Sequence, residues 1–156
     1  MTTVLIIAHD PLASALRSVA AHTYPDHALT LEVLDVKVGD DVEHIEAQAR
    51  ALLAPHADTP TLIFADAFGA SPCNAAMRLL DSPKVRLVAG VNVPMLWRTL
   101  CYGTDEPLDA LVARAVQYLA HLLPRLFWPS RNQAGRDYCQ AMGTVSAGIS
   151  VVMGLI

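Results

Sequence analysis

Lysine is scarce in this 156-residue chain: only Lys37 and Lys84 occur among 11 basic residues, and these do not cluster. With 15 acidic residues the formal net charge is -4 and the pI about 5.8, so the footprint of a nucleic-acid-binding surface is missing. Cysteine is sparse too. Cys73, Cys101 and Cys139 are an odd, scattered set, which argues against a disulfide framework or a zinc site and fits reduced thiols in a cytoplasm. No apolar run reaches the ~18 residues of a membrane span. No basic segment followed by a long apolar core opens the chain, so a signal peptide is not expected. The GxxxxGK phosphate loop is also absent, which argues against ATP as a direct phosphoryl donor. His22, His27, His44, His56 and His121 stand away from cysteines and carboxylates in ligand-like spacing, so neither a metal nor a cofactor is expected.

What remains is apolar. Hydrophobic residues make up 53% of the chain and charged ones 17%, a composition that supports a large core and a single domain. Four short aliphatic runs, at 4–8, 29–36, 61–65 and 84–90, read as strands. The first and third are nearly continuous, as strands covered on both faces are. The second interleaves Glu32 and Asp35, which suits an edge. Helical patterns separate them at 11–23, 41–54, 72–80, 94–102 and 106–123, the first with Leu12, Ala15, Leu16, Val19 and Ala20 at i, i+3, i+4 spacing. Asp10 suits the first cap with Pro11 in the first turn, Asp40 or Asp41 the second, and Ser71 the third.

Alternation of this kind predicts an α/β fold: an open, mostly parallel sheet of order 2-1-3-4 with helices on both faces, in three α/β/α layers. From residue 124 the pattern changes. Residues 1–123 carry 8 basic and 14 acidic side chains; residues 124–156 carry three arginines and one aspartate. The shift suggests a domain over 1–123 and a C-terminal extension over 124–156, which the pattern alone reads equally as an added strand, an arm toward a partner or an unstructured tail.

Chemistry collects at the strand-to-helix loops. His9 ends the first strand, Asp66 follows the third, and the order 2-1-3-4 brings both to the carboxyl edge at the switch point. An imidazole there can serve as a nucleophile if one ring nitrogen keeps its lone pair, and a carboxylate on the other nitrogen fixes that tautomer. Ser71, opening the third helix, serves either as a cap or as a contact to phosphoryl oxygens. Asn92 reads as ordering its own turn, while Phe68, Met95 and Trp97 read as packing or partner contacts. The set His9, Asp66 and Ser71 suits phosphoryl transfer through a histidine.

Three blocks carry a family resemblance: Leu5-Ile6-Ile7-Ala8-His9, the run from Asp66 through Gly69, Ser71, Pro72 and Asn74 to Ala76, and the run from Ala89 through Asn92 and Pro94 to Leu96. In order and spacing they resemble the mannose-family enzyme IIA of the bacterial phosphoenolpyruvate:sugar phosphotransferase system (PTS) over roughly residues 1–123. The resemblance implies a dimerising cytoplasmic domain with a transient phosphohistidine at His9, loaded by the phosphocarrier HPr, oriented by Asp66 and contacted by Ser71. It implies onward transfer to a IIB domain and a sugar, with the membrane involved only through a transporter complex, or a regulatory role in place of transport. No IIB domain follows within the 156 residues. Two positions depart from the family pattern, which commonly has glycine where Asp10 and Ala70 stand. A carboxylate at Asp10 would repel a phosphoryl group if it pointed inward, and it is expected to face outward as a helix cap.

Two other classes fit parts of the pattern. A receiver module phosphorylated on aspartate would use Asp10 and Asp66 with Mg²⁺, but it wants a second acid after the first strand and a lysine after a fifth. A phosphoryl-carrier subunit of dihydroxyacetone kinase is closer, though the 90–96 block matches the sugar-type IIA better.

Overall fold

Buried strands dominate the centre of the molecule. The computed structural model describes residues 2–28, 30–101, 105–126 and 149–151. In chain order the strands are β1 (Thr3–His9), β2 (Leu31–Val36), β3 (Thr61–Ala65), β4 (Val85–Ala89) and β5 (Ile149–Val151). The helices are α1 (Leu12–Thr23), α2 (Pro25–Ala28), α3 (Val42–Leu53), α4 (Ser71–Met77), α5 (Val93–Cys101) and α6 (Leu108–Leu126), with a 3₁₀ turn at Ala54–His56.

The strands form one sheet of order β2-β1-β3-β4-β5, every neighbouring pair parallel. The expected order 2-1-3-4 is there, and the short β5 from the C-terminal extension adds to its far edge against Leu87–Ala89. As a parallel sheet must, it is covered on both faces. Successive β1 side chains go to opposite cores. Val4, Ile6 and Ala8 pack with Ala13, Leu16 and Ala20 of α1, Met95, Leu96 and Leu100 of α5 and Leu111 and Ala115 of α6. Leu5 and Ile7 pack with Ile45 and Ala49 of α3 and Cys73, Ala75 and Ala76 of α4. Each fully buried Ile or Leu contributes about 1.5–3 kcal/mol through the apolar area it removes from water, so β1, buried up to Ala8, and β3, buried throughout, anchor the sheet. β2, with Glu32 and Asp35 half-buried, is the edge that its interleaved charges predict.

Four local expectations change. The α1 cap position is Pro11, one residue later than expected, and Asp10 lies outside the helix. The carboxylate that holds this end comes from the neighbouring strand: Asp35 Oδ1 accepts from Ser14 N–H at 3.1 Å. Asp35 thus takes by tertiary contact the role that local spacing assigns to Asp10. Ser71 is the first residue of α4 rather than its cap, a position held by Ala70 in an extended conformation, which makes Pro72 the second helical residue. The third helix ends at Met77, earlier than the pattern over 72–80 predicts, and the fifth pattern extends to Leu126. Of the two candidates for α3, Asp41 is the cap, accepting from His44 N–H at 2.7 Å.

The candidate phosphoryl-transfer site

At the carboxyl edge of the sheet, β1 and β3 are direct neighbours, with Ile7 level with Ala65. His9, two residues beyond Ile7, and Asp66, directly after Ala65, are the ones that matter. Asp66 Oδ2 accepts two hydrogen bonds from His9, one from its backbone N–H at 2.9 Å and one from ring Nδ1 at 2.6 Å. Its other oxygen, Oδ1, accepts from Ala67 N–H at 2.7 Å. A carboxylate has no hydrogen to give, so Nδ1 is the donor, and in the neutral form of the ring this leaves the lone pair on Nε2. The partners differ sharply in exposure: the His9 side chain is 56% exposed and that of Asp66 10%. The carboxylate is the fixed base of the pair, and the imidazole projects from it toward solvent.

The loop after Asp66 is shaped by Gly69. Its φ of +84° belongs to the left-handed region, and Ala70 N–H closes a turn onto Ala67 O at 3.3 Å. Asn74 pins this turn from within α4, its Nδ2 donating to Gly69 O at 3.0 Å. That role of Asn74 was missed from sequence; an asparagine five residues beyond a turn glycine is the signal that pointed to it. Ser71, half-buried at the start of α4, follows directly, and its hydroxyl is committed to no other described residue. Below the loop, burial raises the Cys73 thiol pKa above its ordinary value, a backbone hydrogen bond from the Gly69 region partly opposes that, and nearby Asp66 adds to the rise.

The third loop is built alike. Gly90 has φ +85°, and Val91 N–H ties the loop back to β3 through Ala65 O at 3.0 Å. Asn92 orders its turn as expected: Oδ1 accepts from Met95 N–H at 3.0 Å, and Nδ2 donates to Met95 Sδ at 2.9 Å and Gly90 O at 3.3 Å. Met95 is fully buried and is a packing residue, while Phe68 and Trp97 are exposed. The geometry therefore joins His9 to Asp66 directly and sets Ser71 on the same β3-to-α4 connection. Among the described residues, no group of three or more His, Cys, Asp or Glu side chains is placed to hold a metal ion, and no helix is long and apolar enough to cross a membrane.

The site is thus an exposed histidine at the end of β1, braced by an aspartate that follows neighbouring β3, in an open parallel α/β sheet of the kind seen in PTS IIA proteins. The chain belongs to the EIIA-man family, described as the PTS system fructose IIA component, whose sequence model matches residues 3–116. It is 39% identical over 87 residues to the PTS system mannose-specific EIIAB component of Escherichia coli strain K12, a match covering 54% of this chain and 27% of that protein. The chain thus matches about a quarter of the length of that relative. The fold is similar to the mannose/sorbose-specific IIA subunit from Enterococcus faecalis, with a TM-score of 0.69 at 23% identity over 84% of this chain and 98% of that one. A sigma-54 interaction domain protein from Enterococcus faecalis is similar in fold as well, with a TM-score of 0.70 at 11% identity over 81% of this chain and 96% of that one.

Proposed function

We propose that this IIA component is a phosphoryl carrier that accepts a phosphoryl group on His9 from HPr and passes it to a IIB domain or to a regulatory target. The observation that carries the reading is the 2.6 Å bond from His9 Nδ1 to Asp66 Oδ2, with the rest of the ring open. The Nε2 lone pair forms a new P–N bond as the donor's P–N bond breaks, and the electron pair of the broken bond returns to the donor's ring. Positive charge that develops on the His9 imidazole is met through Nδ1–H by the Asp66 carboxylate. The Ser71 hydroxyl supplies a hydrogen-bond donor to the phosphoryl oxygens, joined by those backbone N–H groups of the 67–71 loop that are not already given to Asp66 Oδ1 or Ala67 O. In this reading residues 1–123 form the carrier domain and 124–156 a C-terminal extension, the domain works as a homodimer in the cytoplasm, and it meets the membrane only through a transporter complex.

The test is incubation with phosphoenolpyruvate, enzyme I and HPr. One phosphoryl group per chain is expected, labile in acid and stable in base as a phosphohistidine is, and absent in His9→Ala. A base-labile label would instead indicate an acyl phosphate on aspartate, and continued labelling of His9→Ala would remove His9 from the mechanism.

A further inference from the structure

Five large apolar side chains are exposed among the described residues, and three of them stand on the connections leaving β1, β2 and β3 at the edge that carries His9: Leu12 (39% exposed), Val38 (108%) and Phe68 (46%). These three strands are neighbours, with β1 in the middle. All three thus lie at the sheet edge where His9 ends β1. The same connections carry Asp10, Asp40, Asp41 and Asp66 against a single cation, Lys37. Three of the four carboxylates are occupied: Asp66 by His9, Asp40 by Lys37 N–H at 2.8 Å, and Asp41 by His44 N–H at 2.7 Å. Asp10 is exposed, follows His9 directly, and bonds no described residue through its carboxylate. Its main chain is held, the backbone N–H donating to Val36 O at 2.9 Å.

An unpaired carboxylate beside a nucleophile is unfavourable for an approaching phosphoryl dianion unless a cation arrives with it. Apolar contacts ringed by one sign of charge also steer toward surfaces of the opposite sign. We propose that Asp10 is a specificity determinant of the His9 site, selecting a protein partner that brings a lysine or arginine alongside its own phosphoryl-bearing histidine, while Leu12, Val38 and Phe68 meet an apolar centre on that partner. The proposal rests on the carrier reading and goes beyond it in assigning partner choice to a position where the family commonly has glycine.

The full 156-residue chain is used in two arms. In the first, wild-type protein is treated with phosphoramidate, a small donor that needs no protein partner, and the acid-labile label is mapped. A label on His9 supports the carrier reading alone; its absence removes that reading and this proposal together. In the second arm, transfer from phosphorylated HPr is followed against HPr concentration and salt. Asp10→Lys is expected to raise KM about fivefold at low salt, the loss falling on KM rather than kcat, Asp10→Asn to raise it less, and added salt to shrink both differences. Phe68→Ser is expected to raise KM by a similar factor with little salt dependence. With His9 labelled by phosphoramidate, a KM that Asp10→Lys leaves unchanged or lowers overturns the proposal, as does a lack of transfer from HPr. Sedimentation of the same variants completes the test, since altered self-association with unaltered KM would assign this face to a second copy of the chain and overturn the proposal too.

Discussion

Removing the Asp66 carboxylate isolates what the aspartate does for the histidine. Asp66→Ala deletes the acceptor of three hydrogen bonds, of which the 2.6 Å bond from His9 Nδ1 bears on chemistry. A hydrogen bond to a charged partner contributes about 1.5–3 kcal/mol, and the lower half of that range applies here because the ring is more than half exposed and its charge is screened. At about 1.4 kcal/mol per factor of ten, losing stabilisation of the developing imidazolium slows transfer about 10- to 40-fold. Asp66→Asn goes further in one respect: its amide can donate to Nδ1 and hold the ring in the tautomer whose Nε2 carries the proton, so it is expected to be no faster than the alanine variant. The assay is a quenched time course of label moving from phosphorylated HPr to each variant, with circular dichroism to establish that the sheet is intact. Nitrogen NMR of the unphosphorylated protein gives an independent reading, with the Nδ1–H tautomer dominant in the wild type and depleted in Asp66→Asn. Transfer by Asp66→Ala within twofold of wild type, or a wild-type ring protonated chiefly on Nε2, would refute the reasoning.

Three other perturbations follow from the same geometry. Asp35→Ala leaves Ser14 N–H without its acceptor and is expected to cost about 1 kcal/mol of stability in urea denaturation, while Asp10→Ala, outside the helix, costs almost nothing. Gly69→Ala meets no atom within 4 Å, so its expected cost of about 1–2 kcal/mol is backbone strain at φ +84°, read as a lower denaturation midpoint. Alkylation followed by peptide mapping should modify exposed Cys101 well before Cys73, which is buried and whose raised pKa leaves less thiolate; a Cys73 that reacts as fast in the native protein would contradict the packing beneath the Asp66 loop.

The strands were the most legible part of the chain because a parallel sheet covered on both faces writes itself as uninterrupted aliphatic residues. The runs at Val4 to Ala8 and Leu62 to Ala65 are almost wholly inaccessible for that reason. The alternation at Glu32 and Asp35 marked the edge strand, although Asp35 was doing a second job that no spacing reveals. It lies 21 residues from Ser14, and only the pairing of β2 with β1 brings it to the start of α1. Local capping rules choose the nearest eligible residue, which made Asp10 and Ser71 look like caps. Tertiary contact overrode the first, and the helix starts from an extended Ala70, one residue earlier than the hydroxyl suggested. The pairing of His9 with Asp66 was legible because it needed only two strand ends and a strand order. The role of Asn74 was harder, since it depends on the turn at Gly69 folding back over α4.

One oxygen of Asp66 holds both the backbone and the ring of His9, and this has a consequence for how the protein meets a partner. An exposed side chain ordinarily keeps its rotational entropy until something binds, and freezing it then weakens the encounter. Here that entropy is surrendered during folding, against a largely shielded carboxylate at the end of a fully buried strand. The imidazole is therefore open to collision and already oriented, so orienting it adds no loss of freedom at the moment of encounter.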